Sequence, residues 1–347
     1  MTRFRIALGA VVVAIAVVVV ITVTHAPMPP TTTGSATSQL LPVNERQPAP
    51  DFTGIDAWIN SPPLSVSKLQ GHVVLVDFWT FSCVNCVRTI PHLQQLDDAY
   101  RSHGFVIVGV HSPEFDFEKV TSNVRAAAQR LGVTWPVAVD SEMATWNAYS
   151  NQYWPAEYLI DQQGRIAYVN FGEGNYDATD SAVASLLGIR PGALPSATAV
   201  PGNITPELYA GSERGQLSGG EQYGNPGQPA SYPDPGPPSD ANAIQVTGTW
   251  IDEGQYLVSD GPGHVRLNFQ ADSVYVVVGT QGGSVPVSVS LDGRQVAPPM
   301  SGPALTSSKF TVAREDLYHL LINVSPGSHL IDLTVPSGLQ LYTFTFG

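Results

Sequence analysis

Two cysteines, Cys83 and Cys86, are the only ones in 347 residues, and they stand three positions apart as Cys83-Val84-Asn85-Cys86. The apolar run Val73–Phe78 just before them reads as a buried strand. The stripe Ile90, Leu93, Leu96 and Tyr100 after them reads as a helix. A thiol at a helix start meets unpaired N–H groups and the positive end of the helix dipole, which stabilise a thiolate. Cys83 is therefore expected to be the exposed, attacking sulfur, with Cys86 one turn inward. Such a pair makes and breaks a disulfide: Cys83 forms a mixed disulfide with a substrate, and Cys86 then attacks it and releases the reduced partner. A zinc site needs three or four ligands, and no second cysteine pair exists, so neither a metal nor any cofactor beyond a redox-active Cys83–Cys86 disulfide is expected. Asp77 lies within the preceding strand. If that strand is buried, the carboxyl pKa is raised; if it is an edge strand, Asp77 simply ends it in solvent.

The elements needed to hold this pair follow from the rest of the chain. The net charge of −13 argues against a nucleic-acid partner. With 13% charged residues, 32 glycines and 29 prolines, the composition suits a secreted, loop-rich protein. Arg3 and Arg5 precede 18 uncharged residues, Ile6 to Val23. As a helix this run would extend about 27 Å, close to a bilayer's hydrocarbon thickness. No Lys or Arg follows until Arg46, which places the N-terminus in the cytoplasm and the folded part outside. Thr24 and Ala26 make a weak cleavage site and Pro27 follows it, so residues 1–26 are expected to remain as a single-pass cell-membrane anchor.

Residues 27–48 form a Pro/Thr/Ser-rich spacer. Residues 49–189 read as α/β. A second apolar run at Phe105–Val110 gives a parallel β-α-β unit. A helix carries Val120, Val124, Ala127, Ala128 and Leu131, Trp135–Val139 is a short strand, and Asp161-Gln162-Gln163-Gly164 turns a hairpin. Residues 190–242 are a Pro/Gly-rich connector, in which Pro206–Tyr209 could be ordered. From 243 to 347 the alternation of Val265, Leu267 and Phe269, of Val285 to Leu291, and of Tyr342, Phe344 and Phe346 predicts an all-β sandwich. Trp250, Tyr256, Tyr275, Tyr318 and Tyr342 could form a sugar-stacking face, although alternation puts several of them in the core.

The stretch Val76-Asp77-Phe78-Trp79-Thr80-Phe81-Ser82-Cys83-Val84-Asn85-Cys86 resembles the thioredoxin superfamily. Within it, the chain is similar to the TlpA/ResA branch of membrane-tethered thiol-disulfide oxidoreductases. It is closest to the C-terminal extracytoplasmic region of DipZ proteins, on Trp58–Ser61, His111–Phe115, Thr145–Tyr149 and Asn151–Asp161. The resemblance implies an α/β thioredoxin-like fold, with a mixed central sheet flanked by helices, followed by a carbohydrate-binding-module-like β-sandwich. It makes Asp77 the proton relay for Cys86, Pro91 a kink in the active-site helix, and Pro155 the cis-proline that offers backbone groups to substrate. Trp154 and Trp79 would flank the substrate site, with core packing the alternative for Trp79. Glu114 either modulates the cysteines or is a solvated loop carboxylate.

DipZ proteins carry a multi-span electron-transfer domain, whereas this sequence has one hydrophobic segment. The resemblance thus implies a separate membrane donor of the CcdA/DsbD type. Substrates would be thiols and disulfides of exported proteins, or cytochrome c apoprotein during maturation, with cell-wall glycan a candidate ligand of the sandwich. Val84-Asn85 lacks a histidine or basic residue that would over-stabilise a thiolate, which points to a reductant. Two alternatives remain: a thiol peroxidase, from Thr80-x-x-Cys83, and a cell-wall binding module whose redox domain is inactive.

Overall fold

The computed structural model describes residues 40–191 and 204–347. The expected anchor at 1–26 and most of the 27–48 spacer lie outside the described residues. Among the described residues, no helix is long and apolar enough to cross a membrane.

The first unit runs β1 (Ala57–Ile59), β2 (Val73–Trp79), α1 (Val84–Tyr100), β3 (Phe105–His111), α2 (Thr121–Arg130), β4 (Val137–Val139), α3 (Ala144–Ala148), β5 (Ala156–Ile160), β6 (Ile166–Phe171) and α4 (Tyr176–Leu187). Its sheet has the order β1-β4-β3-β2-β5-β6. Strands β2, β3 and β4 are parallel, while β1, β5 and β6 run antiparallel to their neighbours. This is a thioredoxin-like fold with the mixed sheet expected. β2 is central and all seven of its residues are buried, because a strand covered on both faces needs apolar residues at every position. Its side chains alternate. Val73, Leu75 and Trp79 pack with Cys86, Ile90, Leu93 and Leu96 of α1, while Val74, Val76 and Phe78 join a second core on the opposite face. Period two puts Asp77 on the α1 face.

The second unit contains β7 (Leu208–Tyr209), β8 (Pro229–Tyr232), β9 (Gln245–Asp252), β10 (Leu257–Ser259), β11 (Gly263–Phe269), β12 (Val274–Thr280), β13 (Val285–Leu291), β14 (Arg294–Gln295), β15 (Lys309–Val312), β16 (Asp316–Leu321), β17 (His329–Val335) and β18 (Leu339–Phe346). It is all-β, as expected, but it is one continuous sheet rather than two separate ones. The path is β14-β13-β17-β11-β9-β10-β18-β12-β16, curled around a single core. β9 makes the corner. Its first residues pair with β11 and its last with β10, and Gly248 between them adopts φ +92°. A Cβ there would stand 2.6 Å from the Pro262 carbonyl oxygen, so only glycine fits without movement.

The boundaries differ from the sequence expectation at one junction. Residues 204–242, read as connector, are built into the β unit. Leu208, Ala210, Leu217 and Tyr232 enter its core, Arg266 pairs with Asp234 at 2.7 Å, and Asn268 Nδ2 donates to the Pro238 and Asp240 carbonyls. Proline and glycine there mark tight turns around a few apolar anchors, not a free linker.

The two units share an interface. Val277 and Tyr342 of the β unit complete the core beneath α1, Tyr342 packs edge-on to Phe115 and Phe117, and Tyr256 lies 4.7 Å from Tyr342. Arg130 pairs with Asp316 at 2.7 Å. Trp250 and Tyr342 are thus core residues, and Tyr256 is turned toward the α/β unit rather than outward as part of a sugar-stacking face.

Candidate active site

β2 delivers the chain to a short turn, Thr80-Phe81-Ser82, and Cys83 follows as the N-cap of α1 with extended backbone, φ −78° and ψ 113°. The Cys86 amide donates to Cys83 Sγ at 3.2 Å, a contact that favours negative charge on that sulfur. Both cysteines are free thiols; Cys83 is half-buried and Cys86 is buried. Burial pushes the Cys86 thiol well above its usual range, and its hydrogen bond with Cys83 adds to this. The two sulfurs are therefore distinct: one is open to a partner and one is held protonated beneath it.

Asp77 lies below this pair and is 3% exposed. Because β2 is central, the edge-strand alternative fails. Burial raises the Asp77 carboxyl strongly, and the neighbouring Glu157 raises it further. Glu157 is the cross-strand partner of Asp77 and is pushed up to about 7 by burial, against hydrogen bonds from Thr179 and Asn170.

Trp79 is buried at the end of β2, edge-on to His111 with ring centres 5.2 Å apart. It forms part of the floor behind the motif and does not reach solvent. Burial drives His111 down to about 3, so its ring is neutral, and it meets Thr80 Oγ1 at 3.3 Å. Trp154 is half-buried, donates from Nε1 to the Ser112 carbonyl at 3.0 Å and packs 4.2 Å from Trp146. The Trp154–Pro155 bond is cis. It immediately precedes β5, whose Ala156 pairs with Phe78, so Pro155 sits at the same end of the sheet as the cysteine turn. Pro91 lies inside α1, where it removes the N–H that would bond the Val87 carbonyl.

Sequence reasoning missed Glu118. Its carboxylate is fully buried and accepts four hydrogen bonds. Oε1 takes the Ser82 amide at 3.2 Å and the Ser82 hydroxyl at 2.6 Å. Oε2 takes the amides of Glu114 and Phe115 at 2.7 and 3.0 Å. One side chain thus ties the residue before Cys83 to the loop after β3. The available signal was an acidic residue directly after the aromatic pair Phe115 and Phe117. Glu114 is not the solvated carboxylate the sequence suggested. It accepts from Tyr209 Oη and Arg214 Nη1, both at 2.8 Å, and joins the two units. Arg88 does the same from α1: it grips Glu173, donates to Asn85 Oδ1 at 2.6 Å within the motif, and interacts with Tyr275 of the β unit. Among the described residues, no group of three or more His, Cys, Asp or Glu is placed to hold a metal.

Known proteins resemble both parts of the chain. Residues 44–187 match the Redoxin family, and residues 205–347 match the family described as thioredoxin like C-terminal domain. The chain is similar to Protein DipZ of Mycobacterium tuberculosis (strain CDC 1551 / Oshkosh), 39% identical over 313 residues. That match covers 86% of this chain and 43% of that protein, so the chain spans less than half the length of this relative. It is also similar to thiol-disulfide oxidoreductase YkuV of Bacillus subtilis (strain 168), 28% identical over 142 residues, 41% of this chain and 95% of that protein. Among solved structures, a thiol-disulfide isomerase from Corynebacterium glutamicum matches at 25% identity and TM-score 0.36, covering 41% of this chain and 98% of that one.

Proposed function

From the premise that the chain belongs to the thioredoxin-like Redoxin family, we propose that it is a thiol-disulfide oxidoreductase working through Cys83 and Cys86. The observation that carries this reading is the difference between the two sulfurs. Cys83 caps α1 within reach of a partner, and Cys86 is buried with its proton held. A substrate disulfide is attacked by Cys83, and its departing sulfur leaves as a thiolate. The Cys86 proton passes to Asp77, Cys86 attacks Cys83 Sγ, and the mixed disulfide resolves. The chain leaves oxidised by two electrons and the substrate reduced by two.

The finer parts of the reading are also proposals. The protein acts as a reductant outside the cell membrane, tethered by residues 1–26. It serves exported proteins or cytochrome c apoprotein and is recharged by a separate membrane donor of the CcdA/DsbD type. Thr80 Oγ1 is engaged with buried His111, which favours exchange over peroxide reduction.

Insulin disulfide reduction with dithiothreitol as electron source tests the core claim. Wild type should accelerate insulin precipitation, and Cys83→Ser should return it to the uncatalysed rate. Equal activity of wild type and Cys83→Ser would refute the claim, as would hydrogen peroxide turnover outrunning disulfide turnover.

A further inference from the structure

Two carboxyls face each other beneath the inner sulfur. Asp77 of β2 and Glu157 of β5 are direct antiparallel partners, so their Cβ atoms lie about 5 Å apart on one face of the sheet. That face is covered by α1 and α4. The two side chains are 3% and 1% exposed. Asp77 Oδ1 and Glu157 Oε1 are each buried with no hydrogen-bond partner among the described residues. Glu157 Oε2 accepts from Thr179 Oγ1 of α4 at 2.9 Å. No ion pair joins either carboxyl to a cation among the described residues. Two opposed anions in such a setting repel strongly, whereas one proton held on the pair removes a charge and with it most of that repulsion.

We propose that Asp77 and Glu157 form a carboxyl dyad sharing one proton, and that Glu157 is a positioning residue that sets, through Asp77, when the Cys86 thiol is deprotonated. The proposal rests on the exchange chemistry above. In the resolving step the Cys86 S–H proton passes to the dyad, and the Cys86 sulfur attacks Cys83 Sγ. The bond from Cys83 to the substrate sulfur breaks, and the leaving thiolate takes a proton from solvent. The dyad then holds two protons and returns one to solvent. The other titratable groups on this face include Cys83, Cys86 and His92 of α1, His111 of β3, which burial holds at about 3, Tyr168 of β6 and Tyr176 of α4. Burial holds His92 at about 4 and both phenols above their usual range. Glu173 and Asp180 are engaged by Arg88 and Tyr100. Glu157, pushed up to about 7, is the group on this face that changes charge near neutral pH.

The test is stopped-flow reaction of the reduced full chain with 5,5′-dithiobis(2-nitrobenzoate) between pH 5 and 9. The first thiobenzoate is released when Cys83 is capped, the second when Cys86 resolves the mixed disulfide. Glu157→Gln cannot carry charge and can donate to Asp77, so the inflection of the second phase should move down by about one pH unit or more, with the first phase unchanged. Thr179→Val removes a donor that stabilises the Glu157 anion and should move the inflection up. The double variant Asp77→Asn/Glu157→Gln should match Asp77→Asn alone. An unmoved inflection in Glu157→Gln overturns the dyad, as do effects of the two substitutions that multiply. If Glu157→Gln fails to fold, the direction of the Thr179→Val shift decides alone. A wild type with no second phase at all would sink the oxidoreductase reading itself, which separates that failure from failure of the dyad.

Discussion

Glu157→Gln should make the protein progressively more stable than wild type as pH rises. In the native state burial lifts the Glu157 carboxyl from 4.5 to about 7. Its folded value is thus above its unfolded value, and the native state binds more protons than the unfolded chain between those limits. Stability associated with this group is complete below about pH 4.5 and is lost as pH climbs through 7. The shift spans about 2.5 pH units, which at about 1.4 kcal/mol per unit is about 3 kcal/mol. Wild type alone hides the effect. His111 and His92 are depressed by burial to about 3 and about 4, and their contributions change with the opposite sign, growing as pH rises to 6.5. Both histidines remain in the variant, so the difference between the two proteins cancels them. Loss of the Glu157 charge also lowers Asp77, which acts in the same direction. Urea unfolding at pH 4.5 and 7.5 can be followed by tryptophan fluorescence, since Trp58, Trp79, Trp135, Trp146 and Trp154 all lie in the α/β unit. The advantage of Glu157→Gln should increase by about 3 kcal/mol between the two pH values, roughly 1 M in urea midpoint. A difference constant to within about 0.5 kcal/mol, or one that falls with pH, would refute the placement of a neutralised carboxyl on β5.

Three further outcomes follow from the geometry. Glu118→Ala leaves the Ser82, Glu114 and Phe115 amides without their acceptor and should cost about 3 kcal/mol or more in urea unfolding. It should also speed iodoacetamide capture of Cys83, as the turn before it loosens; unchanged stability would contradict the four-bond geometry. Gly248→Ala places a Cβ against the Pro262 carbonyl at positive φ and should lower stability by about 2 kcal/mol or more, read as a drop in Tm, whereas a neutral result would mean that β9 does not turn there. With limiting iodoacetamide at pH 7, mass spectrometry should find Cys83 alkylated at least about tenfold faster than Cys86, because only the thiolate reacts and Cys86 is buried with its proton retained. Equal rates would remove the distinction between the sulfurs.

Much of the site was legible in the chain. The apolar run Val73–Phe78 followed by Cys83-x-x-Cys86 and the Ile90, Leu93, Leu96, Tyr100 stripe dictated strand, turn and helix, because a doubly buried strand and an amphipathic helix have distinct periods. Asp77 was visible as a carboxylate within that strand. The cis geometry at Trp154–Pro155 followed only from family resemblance, since a proline in itself says little about its isomer. Glu157 was not singled out. Its importance depends on β5 pairing with β2 in the register that sets it opposite Asp77, and register between strands about eighty residues apart is not written locally. Glu118 escaped for a related reason: an acidic residue in a loop reads as solvated until its four donors are in place.

The β unit divides in the same way. Alternation along Val265–Phe269 and Val285–Leu291 set strands with one buried face, and each pattern is local to its strand. That the strands form one sheet folded over at Gly248 depends on pairings across the whole unit. So does the recruitment of residues 204–242, where composition suggested a linker and a few apolar anchors found a core. The local code therefore determined the two thiols, the helix that caps them and the class of each unit. The tertiary structure decided which sulfur is open, which carboxyls lie beneath it, and that Tyr342, Arg88 and Glu114 bind one unit to the other. Period and capping act over a few residues, whereas burial and charge pairing depend on what the distant chain brings alongside.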